Sequence, residues 1–581
     1  MAIQLKADYA EAFSNRGVAQ EKLKQFDAAM ASYNQAILLK PDYAEAYCNL
    51  GNVLKELDQF ESAVACYDKA IGLKADYTLA YYNRGISLHI LKQPDEAAVS
   101  FDKAFSINVR SEWLIGMKLQ SKIFLCDWNE LTSNILFCET EITAHHRVVP
   151  PFIALMLFDD PKLLLETCKI YLQSTVTQDS SLGAIPQREP RGRVRIGYYS
   201  ADLYYHPVSI WLAEQLENHD KTKVELYAFC LKSVQDPMRD RLEAGFDHWI
   251  DVQSMSDLEI TKLSRELEID IAIDLNGHTA DGRTGIFAAR AAPIQLNHLG
   301  FPGSMGAEYI DYMIGHTPSP DEDLQELAIN RQFITEKIAY VPSSFTYDRR
   351  RQLSDEPLTR AQFGLPETGF VFTCQNGCQK LMPEVFDIWM EILKAVPGSV
   401  LWLLRPNETA LKNLIKEANA RGVEAERLIF TAREVVSIDQ ERARIGRYLA
   451  SYKLADLFLD TWPYNAGTTA VDALWAGLPV LTKEGKAGVA RMAAGALRGI
   501  EVPELITKTA QDYQELAIEL AHSPDKLKQL KEKVQANRLT TALFDPVANT
   551  RHSESAYLEM YRRYQEGLEP EDFDIAAPNS N

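Results

Sequence analysis

The hydrophobic and polar positions of the first hundred residues recur at an interval of 34. Asn15, Asn49 and Asn83 keep that step, as do Gly17, Gly51 and Gly85. So do Ala29, Ala63 and Ala97, the aromatics Tyr33, Tyr67 and Phe101, and Ala36, Ala70 and Ala104, with Pro41 and Ala75 closing the first two units. Small residues at the eighth and twentieth places of a unit let two helices approach closely, and the aromatic at the twenty-fourth fills the gap between them. The pattern predicts paired helices stacked in a solenoid over 1–110. From 111 to 190 the register fades but apolar residues keep a helical period, in SEWLIGMKLQSKIFLCDWNELTSNILFCETEI and PFIALMLFDDPKLLLETCKIYL. We read these as degenerate helical repeats, with 175–193 as a linker rich in Ser, Gly and Pro.

At Val194 the texture changes to short apolar runs alternating with helical stretches. VRIGYYS, VELYAFCL, DIAIDL and PIQLNHLG belong to one half, and GFVFTC, SVLWLL, RLIFT, DLFLD and LPVLT to the other. PEVFDIWMEILKAV and TTAVDALWAG are intervening helices. Fully apolar strands alternating with helices predict two doubly wound parallel sheets, one over 191–345 and one over 346–566 with a closing helix. Such sheets bind ligands beyond the carboxyl ends of their strands, which directs attention to the strand-to-helix loops. The segment 567–581 reads as an acidic, frayed tail. The 34-residue units carry the signature of the tetratricopeptide repeat, whose concave face takes peptides or protein partners. Asn15, Asn49 and Asn83 are polar on the first helix of each unit, either bonding helix to helix or holding a peptide backbone.

Composition narrows the function classes. The 581 residues carry 61 Lys and Arg against 81 Asp and Glu, a formal net charge of −20. That balance argues against a nucleic-acid partner, because a grip on phosphates needs clustered excess cations. With no run of about 18 apolar residues and no apolar signal core in MAIQLKADYAEAF, no membrane partner and a cytoplasmic location are expected. Eight scattered cysteines fit buried free thiols, since the Cys374–Cys378 pair lacks the second pair a structural zinc site needs. The acidic runs Asp321-Glu322-Asp323 and Asp572-Phe573-Asp574 follow no predicted strand and read as solvated charge. No metal is expected.

Four strand-end loops carry candidate chemistry. GYYSADLYYHPVS places His206 just ahead of a helix, with a side chain suited to general-base work near neutral pH. DLNGHTADGR makes a tight turn holding His278, and LGFPGSMGAEYIDY holds Gly303 where backbone can approach a ligand. DLFLDTWPYNAGTTAVDALWAGLPVLT reads strand, loop, helix, strand. Thr468 and Thr469 are expected to cap its helix beside Gly467, leaving first-turn N–H groups as an anion site, with Asp472 one turn on for ribose hydroxyls. Lys380, after GFVFTC, supplies a point charge for a phosphate.

These landmarks, with PEVFDIWMEILKAVPGSVLWLLRP, resemble glycosyltransferase family 41, the bacterial relatives of O-linked N-acetylglucosamine transferase and SPINDLY. The resemblance implies an α-helical tetratricopeptide-repeat solenoid followed by an α/β GT-B catalytic region of two Rossmann-like lobes. It implies an inverting, metal-independent protein O-glycosyltransferase that needs no cofactor beyond its nucleotide-sugar donor. UDP-N-acetylglucosamine is the first expectation, and acceptor proteins or peptides would be gathered through the repeats. On the same resemblance His206 is the general base or an organiser of the reacting groups, and Lys380 stabilises the departing diphosphate. Thr468, Thr469 and Asp472 hold phosphates and ribose, and Arg491 matches a recurrent Arg. The chain departs from the family at Gly467 and Tyr448, where His is usual, at His278, where Tyr is usual, and at Gly377, where Gln is common. The segment VVSIDQERARIG before Tyr448 reads as an insertion. GDP-fucose and UDP-glucose therefore stand as alternative donors, and a non-catalytic repeat scaffold with a degenerate transferase domain as the alternative function.

Overall fold

The computed structural model describes residues 9–177, 179–343, 347–431 and 441–575, and the chain divides into two compact units. The first comprises the chain up to Ile153 together with 407–414, and the second comprises Ala154–Pro406 and everything from Ile415 onward.

The first unit opens with six helices in three pairs: α1 (Ala10–Lys22) with α2 (Phe26–Leu39), α3 (Ala44–Glu56) with α4 (Phe60–Leu73), and α5 (Thr78–Ile90) with α6 (Pro94–Ile107). The repeated glycines explain the close pairing. A Cβ built on Gly17 would lie 2.6 Å from the Tyr33 ring, one on Gly51 2.7 Å from Tyr67, and one on Gly85 2.6 Å from Phe101. Those three rings are fully buried, as are Ala29, Ala63 and Ala97. The asparagine column does not act as one set: Asn15 is exposed and Asn49 half-buried, whereas Asn83 is buried and donates to Asn52 Oδ1 at 2.9 Å. In the last unit the asparagine thus bonds helix to helix.

The second unit holds two parallel sheets. The first lobe contains β1 (Val194–Ser200), β2 (Val224–Cys230), β3 (His248–Asp251), β4 (Ile271–Asp274), β5 (Ile294–Asn297), β6 (Tyr312–His316) and β7 (Lys337–Val341). The second contains β8 (Val371–Cys374), β9 (Val400–Leu404), β10 (Leu428–Thr431), β11 (Leu457–Leu459), β12 (Val480–Lys483) and β13 (Ile506–Thr507). Phe573–Asp574 forms β14. The sheet orders are β14-β7-β6-β5-β4-β1-β2-β3 and β10-β9-β8-β11-β12-β13. The order reverses beside β1 in one sheet and beside β8 in the other, so both mark switch points where ligands bind. The strands missed in the sequence, β3, β6, β7, β13 and β14, are short edge or near-edge pieces whose half-exposed patterns carry little apolar signal.

Four expectations are corrected. The boundary between compact units falls at Ile153, not in the 175–193 stretch, because the helix Pro161–Thr175 docks on the first lobe: Cys168 Cβ is 3.0 Å from the Cβ position of Gly306, and the Tyr171 ring meets His278 edge-on at 5.5 Å. The closing helix Pro546–Gln565 serves the first lobe, not the second. Ala556, Tyr557, Met560 and Tyr561 join the core of that sheet, and Glu554 accepts from His219 at 2.9 Å. The tail is not frayed as far as Ile575. Asp572 takes two bonds from Arg331 and the Ile338 N–H, and Phe573 pairs with Ala339 on β7. Residues 576–581 lie outside the described residues.

The acidic run at 321–323 is solvated charge only in part, since Asp321 and Asp323 are exposed but Glu322 is not. Asp323 caps the helix Leu324–Arg331, Asp321 binds Arg498, and Glu322 is buried between the lobes. There its carboxylate meets Arg491 at 2.6 Å and His316 at 3.2 Å. Burial alone would raise its pKa, but hydrogen bonds from His316 and the Ser319 N–H, with Arg498 nearby, hold it well below the usual carboxylate range.

Replacing Gly51 by Leu forces a side chain into the Tyr67 ring. This variant is expected to lose about 3 kcal/mol of stability by overpacking, read as a lower urea midpoint for the repeat unit's unfolding transition.

Candidate active site

In the first lobe, β1 runs into a loop that ends at His206, the N-cap of the helix Pro207–Asn218. Proline follows because the first helical position has no N–H bond to lose. The Val208 N–H points at His206 Nδ1 from 3.4 Å, and Asp202 Oδ2 lies 3.7 Å from the same nitrogen. Asp202 is held in turn by Asn276, whose Nδ2 donates to Oδ2 at 2.7 Å while its Oδ1 accepts the Ala201 N–H at 2.7 Å. Asn276 can reach both because it opens a tight turn after β4. Asp274 Oδ1 accepts the N–H groups of Asn276 and Gly277 at 2.9 Å, and Gly277 takes the left-handed conformation, φ 58°, that a side chain would resist. Burial pushes the Asp274 carboxyl up to about 6. Burial also lowers the His206 imidazole and raises the Asp202 carboxyl, while each opposes the shift in the other through its charge.

In the second lobe, Lys380 ends a single turn after β8. Its Nζ donates to the Asn465 carbonyl at 2.8 Å and sits 3.9 Å from the centre of the Tyr464 ring. Burial pushes this ammonium down to about 8, with Asp460 and Cys374 pulling it back up. The loop that provides the seat is built on Asp460, whose Oδ1 accepts the Thr461 and Ala466 N–H groups and whose Oδ2 accepts the Thr482 hydroxyl, all at 2.7 Å. Burial raises Asp460 to about 6 against those bonds. Asn376 ties the β8 loop to this one: its Nδ2 donates to the Thr461 hydroxyl at 2.9 Å, and its Oδ1 accepts from the Thr469 hydroxyl.

The two loops converge through Gly467. A Cβ there would lie 2.7 Å from Met492 Cε and 4.0 Å from Trp211 on the helix that His206 opens. The Gly488 Cβ position is 3.3 Å from the Pro302 carbonyl, which brings the loop after β12 against the loop after β5. The helix opened by His206 and the loop that seats the Lys380 ammonium therefore meet at one junction.

Other expected site residues are engaged by the protein itself. Thr468 and Thr469 do not cap the helix Thr468–Ala476. Gly467 is the N-cap, no side chain bonds the first turn, and the Thr469 hydroxyl goes to Asn376 instead. Asp472 is not free to accept from a ribose. It is buried in an ion pair with Arg351 and takes the Tyr347 hydroxyl at 2.9 Å. Arg491 faces Glu322 and Glu484 in the interlobe ion cluster. His278 is packed inside the first lobe with its Nε2 on the Met305 carbonyl at 2.9 Å and its ring edge-on to Tyr171 and Phe301, and burial pushes it down to about 4. Gly303 sits beside Phe301 and Leu155. Tyr448 bonds Tyr452 at 2.7 Å. The Gly377 side-chain space is filled by the Gln379 amide. Of the expected insertion, residues 435–440 lie outside the described residues.

Comparison with known proteins adds an independent line. A family model described as Glycosyl transferase family 41 matches residues 175–356 and 354–552, and tetratricopeptide repeat models match 22–58 and 44–77. The chain is 31% identical over 476 residues to the probable UDP-N-acetylglucosamine–peptide N-acetylglucosaminyltransferase SEC of Arabidopsis thaliana, across 78% of this chain and 47% of that one. It is 27% identical to the UDP-N-acetylglucosamine–peptide N-acetylglucosaminyltransferase of Caenorhabditis elegans, across 65% of this chain and 41% of that one. The chain thus spans about half or less of the length of these relatives. A solved structure of a mutant Thermobaculum terrenum O-GlcNAc transferase has the same fold, with a TM-score of 0.67 and 24% identity, across 96% of this chain and 98% of that chain.

Sequence reasoning placed Asp202 and Asn276 in their loops without giving them a role, and missed Asn376, Asp460 and Asn465. Each stands within a few residues of a strand's carboxyl end, so a search for short polar side chains at those ends would have found them. It placed Asp472 in the site because a helical turn brings it near the threonines, but not on which side of the helix it falls. Asp472→Ala leaves Arg351 buried without its counter-charge and is expected to cost about 3–5 kcal/mol in urea unfolding. An unchanged midpoint would show a carboxylate free for ligand.

Proposed function

The chain belongs to glycosyltransferase family 41, and from that premise we propose that it is a protein O-glycosyltransferase. It moves N-acetylglucosamine from UDP-N-acetylglucosamine to Ser or Thr hydroxyls of cytoplasmic proteins gathered by the repeats, with inversion and without a metal. The observation that carries this reading is the seat of Lys380 on the loop before the helix Thr468–Ala476, across the Gly467 junction from the helix opened by His206. Inversion requires the acceptor oxygen to attack the anomeric carbon from the face opposite the departing diphosphate. One lobe then offers a base to the hydroxyl, and the other offers positive charge to the leaving group. The ammonium and the uncapped N–H groups at the start of the helix neutralise the developing charge. Positioning of the two substrates contributes the rest of the barrier reduction. The names of the Arabidopsis and Caenorhabditis relatives support N-acetylglucosamine as the sugar.

Met492 fills the space beside Gly467, and Gln379 fills that beside Gly377, so a side chain at either glycine would displace its neighbour. GDP-fucose and UDP-glucose are the donors to set against UDP-N-acetylglucosamine. A thermal-shift panel of the three sugars with UDP and GDP separates them, since a ligand at about 100 times its Kd stabilises by about 2.7 kcal/mol. The expected outcome is a shift with UDP and UDP-N-acetylglucosamine. Silence across the panel supports the non-catalytic scaffold.

Lys380→Ala is expected to lower kcat roughly 10²- to 10³-fold with folding intact, measured by mass spectrometry of a co-expressed acceptor protein. Undiminished transfer removes the leaving-group role. The same lysine predicts a pH dependence. It is charged below about 8 and neutral above, so kcat/KM should fall as pH rises through 8.

A further inference from the structure

We propose that Asp202 is the positioning residue for His206: its carboxylate holds the imidazole proton at Nδ1 and so leaves the Nε2 lone pair free to accept a proton. The inference rests on the transferase reading for what Nε2 does, but not for the pairing itself.

Two groups address Nδ1, and they ask opposite things of it. The Val208 N–H, 3.4 Å away, favours a bare Nδ1 with the proton on Nε2, and a histidine in that form has no base to offer at Nε2. The Asp202 carboxylate, 3.7 Å away, favours a proton on Nδ1. The backbone donor is neutral and at the long end of hydrogen-bond range, whereas Asp202, too far for a hydrogen bond in this arrangement, acts on the ring through its full charge, and the charge tips the balance toward the Nδ1–H form. Nε2 has no protein partner among the described residues, and about a third of the side chain, 35%, is open. Asp202 itself cannot swing away. Asn276 holds the same Oδ2 that faces the imidazole and is anchored by the Ala201 N–H, while the Ser209 hydroxyl holds the Asp202 carbonyl at 2.6 Å. The turn built on Asp274 and Gly277 thus orients, through Asn276 and Asp202, an imidazole on a different strand-end loop.

In the reaction the acceptor hydroxyl gives its proton to Nε2 as its oxygen bonds the anomeric carbon. The bond from that carbon to the diphosphate oxygen breaks, and its electron pair leaves with the diphosphate. The imidazolium so formed carries its Nδ1 proton toward Asp202, which stabilises the new charge. The other groups near the pair are Lys232 and Asp281, joined to each other at 2.7 Å, Asp236, which accepts the Tyr205 N–H, and the Tyr204 ring at 5.9 Å from the imidazole.

The test uses the full chain with ¹³C,¹⁵N-labelled histidine, the His206 resonances being assigned from their loss in His206→Gln. In Asp202→Asn the His206 midpoint is expected to fall by about one unit, with the ¹⁵N shifts moving toward the Nε2–H form. Asp202→Glu should restore most of both. Sugar transfer by Asp202→Asn should lose roughly ten- to hundred-fold in kcat with its acid limb displaced to lower pH, while the donor KM stays within about two-fold. An unmoved midpoint and unmoved ¹⁵N shifts in folded Asp202→Asn overturn the pairing. Should that variant fail to fold, Asn276→Ala frees the carboxylate without removing it, and a fall in the midpoint supports the proposal where no change overturns it. The two readings fail separately. A moved midpoint in a wild-type chain that transfers no sugar upholds the pairing and sinks the transferase reading, whereas an unmoved midpoint in an active enzyme does the reverse.

Discussion

A half-buried lysine ammonium is the constraint around which the second lobe is arranged. Left alone, such a group would give up its proton, and burial does pull Lys380 down to about 8. What keeps it charged at neutral pH is a set of acceptors that the chain must place accurately: a carbonyl from Asn465, the face of Tyr464, and the carboxylate of Asp460 behind them. None of these works unless the loop from Asp460 to Gly467 is rigid. Asp460 therefore binds two loop N–H groups and a hydroxyl from β12, and Asn376 stitches the loop to the turn that carries the lysine. A charge kept ready in a low-dielectric seat is what a departing diphosphate needs, because no solvent has to reorganise when it leaves.

Polar groups help to hold the two lobes as one compact unit. Glu322 of the first lobe lies among Arg491, Arg498 and His316, while Glu484 takes the same two arginines and Lys508. Asp159 receives the Lys486 and Ala487 N–H groups at 2.8 Å, fixing the loop after β12 to the helical segment that leads into the first lobe. The chain then returns: the helix Pro546–Gln565 and β14 complete the first lobe's core and sheet edge. The first lobe is thus closed by residues that follow the whole of the second, and it is not a contiguous stretch of the chain.

Legibility tracked the range of the interaction. The repeats were plain because Gly51 and Tyr67 meet within a single unit, so the contact repeats whenever the sequence does. Apolar strands such as β1 and β9 were plain because burial on both faces writes a continuous run. His206 and Lys380 were found by their place after such runs. Asp472 and Arg491 were misplaced, and the reason is the same for both: a charged residue in a loop-and-helix segment reads alike whether it faces a ligand or a counter-charge. For Asp472 the counter-charge is Arg351, 121 residues earlier in the chain. For Arg491 it is Glu322, 169 residues earlier.

By itself the sequence determined the architecture: a three-unit repeat array, two parallel sheets, and the strand ends that supply chemistry. These follow from periodicity and burial, which are properties of neighbouring residues. Only the tertiary structure decided which polar groups face one another. It set Asn276 on Asp202, Asp460 beneath Lys380 and Glu554 against His219, and it drew the closing helix and tail to the first lobe. Those pairings join side chains far apart along the chain, where no local pattern records them, and each is fixed by the cost of leaving a charge or a hydrogen-bonding group buried without a partner.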